Sequence, residues 1–99
     1  MHYLLFYDYV PDIMEKRDAY RKDHLALAWE YQERGQLVLA GVLTDPVDAA
    51  VLFFEADSPE VVEAFVKADP YVKGGLVTGW QVRGWNTVVG DAATNPVRP

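Results

Sequence analysis

The sequence contains no cysteine among its 99 residues, and this absence removes three kinds of site at once. Without thiols the chain forms no disulfide, no cysteine-based zinc centre and no thiolate nucleophile. Serine is nearly as scarce, because Ser58 is the only one and lies where a helix is predicted to begin. A covalent hydrolase therefore has no obvious nucleophile, and the two histidines, His2 and His24, make a poor metal cage.

The sequence also has few positively charged residues and no long apolar run. Nine Lys and Arg oppose fifteen Asp and Glu, so the formal net charge of −6 repels a phosphate backbone and predicts no nucleic-acid partner. No stretch approaches the roughly 20 apolar residues that a membrane helix requires. The apolar start of the chain is interrupted at Asp8 and lacks the basic residues of a secretory signal. We therefore expect a cytoplasmic protein without a membrane partner.

The length and the 51% hydrophobic content favour one domain over residues 1–99. Strands are predicted over residues 2–9, 36–43, 49–56 and 76–89. A first helix is predicted over residues 12–34, before Gly35, and a second from its Ser58 cap to Ala68, where Asp69-Pro70 ends it. Residues 70–74 form one further turn, and the tail over residues 90–99 is irregular. This βαββαβ order predicts a ferredoxin-like α+β fold, with both helices on one face of a four-stranded antiparallel sheet.

The opposite face of that sheet is the reason to expect a homodimer. Three strand segments are apolar on both faces: Leu4 to Tyr7, Leu37 to Ala40 and Val51 to Phe54. Two short helices cannot cover both sides, and a two-fold partner presenting the same patch would cover the other. We therefore predict a homodimer through the sheet faces. The alternative is that the long fourth strand and the tail fold back over this face.

Polar residues interrupt the inward face of the first predicted helix. Helical periodicity places apolar and aromatic side chains on one stripe, namely Ile13, Tyr20, Leu27, Ala28 and Tyr31. His24 lies in the middle of this stripe, Arg17 lies on it and Arg21 lies at its edge. The three could line a polar pocket that binds an anion, since guanidinium groups match carboxylates. Alternatively, His24 is a satisfied core histidine and the arginines extend to solvent.

Asp69 is the carboxylate that the predicted fold places beside His24. The two helices of such a fold run side by side, and each residue lies a similar distance along its own helix. An Asp in contact with His24 would orient the imidazole as a general acid or base. The alternative is that Asp69 merely caps the turn that Pro70 begins.

These residues support competing functions. The first is a small-molecule enzyme of the lyase or isomerase type, in which His24 and Asp69 are catalytic and no cofactor is needed. Its substrate would be a small acidic or aromatic metabolite, and the candidate substrate-binding residues are Arg17, Arg21, Tyr20 and Tyr71. The second is a non-catalytic module that binds the same ligand without turnover. A third is haem or metal binding through His24.

Several segments also resemble a known family. They are Glu15-Lys16-Arg17, Tyr20 to Leu25, Leu39-Ala40-Gly41, Ala68 to Val72 and Gly75-Leu76-Val77, and together they are similar to YciI-like, YCII-related proteins over about residues 3–89. The resemblance implies a dimeric α+β barrel and a His and Asp active-site pair at His24 and Asp69. Related barrels include isomerases, dehydrochlorinases and haem-associated mono-oxygenases, so the resemblance does not imply one reaction. Val42 and Gly84 stand where that family commonly has proline.

Overall fold

The computed structural model describes all residues, 1–99, and contains one sheet and four helical segments. The strands are β1 (His2–Tyr9), β2 (Leu37–Val42), β3 (Ala49–Glu55) and β4 (Val77–Trp85). The helices are α1 (Ile13–Lys16), α2 (Asp18–Glu33), α3 (Pro59–Ala68) and α4 (Pro70–Lys73). The predicted α+β fold with a four-stranded antiparallel sheet is confirmed.

The sheet has the strand order β2-β3-β1-β4, and every neighbouring pair is antiparallel. Leu5 of β1 lies opposite Leu52 on one side and Val82 on the other, which fixes the register of the three strands. The pairing of β1 with β4 is irregular between Asp8 and Tyr9. This irregularity lies next to Gly79 of β4, which pairs with Asp8.

One face of the sheet forms the hydrophobic core with the helices. Alternate residues of the two central strands are buried on this face, as a strand with a period of two requires. They are Tyr3, Leu5, Tyr7, Tyr9, Ala50, Leu52 and Phe54. From the helices, Tyr31 and Phe65 pack edge to face with their ring centroids 5.2 Å apart, and Phe65 meets Phe54 at 5.3 Å.

The opposite face of the sheet, which we call the open face, retains apolar side chains. Leu39 of β2 lies opposite Phe53, and Phe53 lies opposite Leu4, so these three share the open face. Leu39 is 73% exposed, while Phe6 and Trp85 on the same face are 37% and 45% exposed. No helix of the chain combines the length and apolar character needed to cross a membrane.

The first predicted helix is interrupted at Arg17, where the structure divides it into α1 and α2. The N–H of Tyr20 bonds to the carbonyl of Arg17 at 2.9 Å, three residues back instead of four, so the turn is tighter there. Asp12 and Ser58 occupy the N-cap positions of α1 and α3, as their sequence positions favour, but neither side chain accepts a hydrogen bond from its helix. Asp12 instead pairs with Lys16 at 3.2 Å.

The fourth strand is shorter than predicted and ends at Trp85, which lies opposite His2. Since β1 itself begins at His2, later residues have no strand partner in that direction. The chain instead bends back: the N–H of Asn95 bonds to the carbonyl of Thr87 at 3.0 Å. The Thr87 hydroxyl lies 2.8 Å from Nδ1 of the buried His2, which anchors the irregular tail.

Phe65 offers a direct test of this core. Its side chain is completely buried between Tyr31 and Phe54. We expect Phe65→Ala to lower the free energy of unfolding by about 3–5 kcal/mol, because it leaves a cavity that neighbours fill only in part. Urea unfolding measures the change. The control is Val89→Ala at an 85% exposed position, expected to change stability by less than about 0.5 kcal/mol. Equal effects of the two substitutions would contradict this packing.

Candidate functional site

Asp69 occupies the joint between α3 and α4, and its position follows from the sequence Asp-Pro. The residue before a proline is pushed out of the α region, and Asp69 has an extended backbone with φ −70° and ψ 120°. This ends α3 and allows Pro70 to open α4. The Asp69 side chain then accepts a hydrogen bond from the backbone N–H of Tyr71 at 3.0 Å. The predicted capping role of Asp69 is therefore present.

The same carboxylate is completely buried and has two further partners. Its Oδ1 lies 2.7 Å from Nδ1 of His24, and its Oδ2 accepts a hydrogen bond from the Tyr7 hydroxyl at 2.8 Å. Three donors from α2, α4 and β1 therefore converge on one side chain. A buried ionised carboxylate would be costly without such partners, so these bonds are what allow Asp69 to lie in the core.

His24 is held by contacts on two sides. Its ring stacks on the ring of Tyr71, with a centroid separation of 3.7 Å and an angle of 4° between the planes. Because a carboxylate can only accept, the Nδ1–H of His24 donates to Asp69. In the neutral imidazole the lone pair then lies on Nε2, the nitrogen that can exchange a proton with a ligand. The His24 side chain is 13% exposed, so it is sheltered but reachable.

A cavity of about 260 Å³ lies beside His24, between α2 and the β2–β3 hairpin. Most of its lining is apolar, including Ile13, Ala50 and Leu52. Arg17 and Arg21 supply its positive charge, and the buried Nε of Arg17 has no hydrogen-bond partner. An unpaired buried donor beside an apolar hollow is suited to a ligand that brings an acceptor.

The structure brings most of the predicted site residues together. His24, Arg17, Arg21 and Tyr71 line the cavity, and Asp69 lies behind His24. Tyr20 is not part of this lining, because its ring packs against the backbone of Gly74. A Cβ at Gly74 would lie only 2.6 Å from Cζ of Tyr20, so glycine permits this close approach.

Two tyrosines of β1 belong to the site although the sequence analysis did not assign them to it. Tyr7 bonds to Asp69, and Tyr9 lines the cavity. Both face the helices, because residues two apart along a strand point to the same side of the sheet, but many core aromatics share that pattern. Nothing in the sequence places one tyrosine hydroxyl against a carboxylate 62 residues away.

Burial of these tyrosines changes their acidity. Burial is the main cause that raises the pKa of Tyr7, and the charge of Asp69 and the hydrogen bond to it raise this pKa further. Burial is also the main cause that raises the pKa of Tyr9. Tyr71 and Asp69 raise this pKa further, whereas the positive charge of Arg17 lowers it. The pKa of Tyr71 is raised by burial, against the opposing charges of Arg21 and Arg17. All three hydroxyls therefore hold their protons more tightly than tyrosine in water.

Nowhere do three or more His, Cys, Asp or Glu side chains come together in a way that could hold a metal ion. The site therefore offers an oriented imidazole, a buried carboxylate and two guanidinium groups. These groups can bind an anion and move a proton.

The raised pKa values of Tyr7 and Tyr9 predict a loss of stability in alkaline solution. Unfolded tyrosines ionise near pH 10, whereas these two stay protonated in the folded chain. Above that pH the unfolded state binds fewer protons, so this stability is present below about pH 10 and falls as the pH rises. Each tyrosine contributes a slope of about 1.4 kcal/mol per pH unit.

Urea unfolding between about pH 9 and pH 12, with tyrosinate absorbance as a second signal, measures this slope. Tyr9→Phe should reduce it by the contribution of one tyrosine, because Phe does not titrate. A slope that is unchanged in Tyr9→Phe would contradict the prediction.

Comparison with known proteins adds a family and two similar structures. The chain matches the YCII-related domain over residues 1–86. No curated protein is similar enough in sequence to count as a match.

Among solved structures, the chain is similar to 5-chloro-2-hydroxyhydroquinone dehydrochlorinase (TftG) from Burkholderia phenoliruptrix AC1100, in complex with 2,5-dihydroxybenzoquinone. The TM-score is 0.75 with 23% identity, covering 88% of this chain and 95% of that one. It is also similar to protein Atu4242 from Agrobacterium tumefaciens, with a TM-score of 0.58 and 14% identity over 95% of this chain and 98% of the other. At these identities the likeness concerns the fold. The match over residues 1–86 establishes that the chain belongs to the YCII-related domain family.

Proposed function

We propose that this protein is a small-molecule enzyme of the lyase or isomerase type, with His24 as its general acid or base. The observation that carries the proposal is the position of His24, whose ring is fixed by Asp69 at 2.7 Å and by the stacked Tyr71. An imidazole held in one orientation at the wall of a cavity is suited to proton transfer near neutral pH.

Asp69 has two roles in this proposal. It accepts the Nδ1–H of His24, so the neutral ring keeps its lone pair on Nε2. When Nε2 takes a proton from the ligand, the buried negative charge stabilises the imidazolium that forms. Asp69 remains ionised throughout, as an orienting carboxylate does in other His and Asp pairs.

The ligand that fits the cavity best is small, flat and acidic. Arg17 and Arg21 supply positive charge, and the buried Nε of Arg17 lacks an acceptor. The apolar remainder of the lining and the face of Tyr71 suit an unsaturated ring. The similar dehydrochlorinase was solved with 2,5-dihydroxybenzoquinone, a small planar ring with hydroxyl groups, which supports this ligand class.

Two related reactions are available to this arrangement. In an isomerisation, Nε2 of His24 removes a proton from one atom and returns it to another. In an elimination, the electron pair of the broken C–H bond forms a double bond while a leaving group departs with its own pair. In both, a guanidinium stabilises the negative charge that develops on the ligand oxygen.

Exchange of ring protons in 2,5-dihydroxybenzoquinone with deuterated solvent tests the proposal and does not require the natural substrate. We expect the parent protein to bind this probe and to accelerate the exchange. His24→Gln should reduce the acceleration by about 10²- to 10⁴-fold, because it removes the acid-base group, with affinity changed only a few-fold. Arg17→Gln should instead weaken binding by about 10- to 100-fold, through loss of a charged hydrogen bond.

The matched control is Arg98→Gln, which removes the same charge from the exposed tail. It should leave both affinity and exchange unchanged. Binding without accelerated exchange would favour the non-catalytic module instead. Failure of the parent protein to bind either this probe or benzoate would contradict the proposed ligand class.

We further propose that the open face pairs with a second copy of the chain. This face has an apolar centre formed by Leu4, Phe6, Leu39, Phe53 and Trp85, of which Phe6, Leu39 and Trp85 are exposed. Its charges are of both signs: Arg83 lies opposite Leu4 on β4, while Asp8 and Glu55 lie on the same face. A two-fold arrangement would therefore bury the apolar centre and allow Arg83 to meet a carboxylate of the partner.

Phe6→Asp tests the homodimer. Two carboxylates would enter each two-fold interface, so we expect the dimer dissociation constant to rise by at least roughly 30-fold. Sedimentation at micromolar concentrations measures the change. Trp29→Asp is the control, because it places the same charge on the outer surface of α2 at a residue that is 62% exposed. A parent protein that is monomeric, or a Phe6→Asp variant that stays dimeric, would contradict the interface.

A further inference from the structure

The hydroxyl of Tyr7 has no role in the reaction proposed above, although it touches the carboxylate on which His24 depends. Tyr7 is completely buried in β1, and its hydroxyl donates to Oδ2 of Asp69 at 2.8 Å. The other oxygen, Oδ1, receives both Nδ1–H of His24 and the N–H of Tyr71. One negative charge is therefore shared among three donors.

The proton of this hydrogen bond stays on Tyr7. Burial raises the pKa of its hydroxyl first of all, and the nearby charge of Asp69 raises it further. Tyr7 therefore remains a neutral donor over the whole range in which a histidine titrates. It can stabilise the carboxylate without competing with His24 as a proton carrier.

The sharing has a direct electrostatic consequence. A carboxylate whose charge is partly satisfied by one donor attracts the next donor less strongly. The Tyr7 hydroxyl therefore weakens the pull of Asp69 on the Nδ1–H of His24. It also fixes the rotation of the carboxylate, so that Oδ1 faces the imidazole and Oδ2 faces the sheet.

We propose that Tyr7 is a positioning residue that acts through Asp69 and sets how readily His24 takes up a second proton. The inference rests on the proposed acid-base function of His24. Without the Tyr7 hydroxyl, Asp69 would stabilise the imidazolium more strongly, and His24 would stay protonated to higher pH. The fraction of His24 in the neutral, proton-accepting form near neutral pH would then fall.

Other charged and titratable groups also face His24, and they remain unchanged when Tyr7 is altered. They are Arg17 and Arg21, which line the same cavity, Tyr71 against the ring and Tyr9 on the cavity wall. Both guanidinium groups oppose a positive charge on the imidazole, whereas Asp69 favours it. Tyr7 therefore adjusts the strength of the one group that attracts the second proton.

Tyr7→Phe tests the proposal, because it removes a single hydroxyl and keeps the ring. In the ligand-free protein we expect the Nδ1 proton resonance of His24 to move downfield, since Asp69 becomes a stronger acceptor. In the exchange assay, the acidic limb of the pH profile should move to higher pH by about half a unit, a roughly threefold change in proton concentration. A purely structural role for Tyr7 predicts neither change.

Tyr31→Phe is the matched control. Tyr31 is a buried tyrosine that packs on Phe54 and Phe65, away from Asp69. Its substitution should leave the His24 resonance and the pH profile unchanged. An unchanged or upfield-shifted resonance in Tyr7→Phe would overturn the proposal.

A second variant keeps the test decisive if Tyr7→Phe fails to fold. Site-specific 3,5-difluorotyrosine at position 7 retains the hydroxyl and makes it a stronger donor. The His24 resonance should then move upfield, opposite to the shift in Tyr7→Phe, and no such movement would count against the role of Tyr7. The resonance is measured without substrate, so the role of Tyr7 can be judged even if no exchange activity is found.

Discussion

The buried carboxylate of Asp69 is the constraint on which the rest of this structure depends. It is wholly removed from solvent, and an unpaired charge in that position would cost several kcal/mol. Its three donors come from three different elements, namely His24 of α2, Tyr71 of α4 and Tyr7 of β1. Each element must therefore lie in its observed position for the charge to be satisfied. The same three hydrogen bonds therefore hold the elements of the domain together and set the geometry of the site.

The arginines of the cavity are in the opposite situation to Asp69, because they have donors without an acceptor. Asp69 is bonded to His24, Tyr71 and Tyr7, and neither Arg17 nor Arg21 forms an ion pair with it. The buried Nε of Arg17 is left without an acceptor, and an apolar hollow lies beside it. The excess of donors over acceptors in this cavity is the physical basis for the proposed anionic ligand. In the proposed function, Asp69 orients His24, whereas the arginines bind the ligand.

Much of the fold follows from local sequence signals. The first strand was predicted with its observed bounds, His2–Tyr9, because its aromatic and aliphatic residues end at a Val-Pro-Asp turn. The helix break at Arg17 was missed, since no Pro or Gly marks it. The fourth strand was predicted too long, because Val88 and Val89 have high strand propensity. Its end is set by β1, which offers no partner beyond His2.

For the site, the sequence by itself determined which residues could do chemistry and on which faces they lie. Without cysteine, and with only one serine, His24 was the main candidate for proton transfer, and helical periodicity placed it on the inward stripe with Arg17. The proline after Asp69 set the local backbone that makes this carboxylate a cap. Only the tertiary structure decided that Asp69 also bonds to His24 and to the hydroxyl of Tyr7. It also decided that Tyr20 packs on Gly74 instead of lining the cavity. The reason is that local periodicity fixes the direction of a side chain within its own element, whereas a hydrogen bond between distant residues depends on how the elements pack.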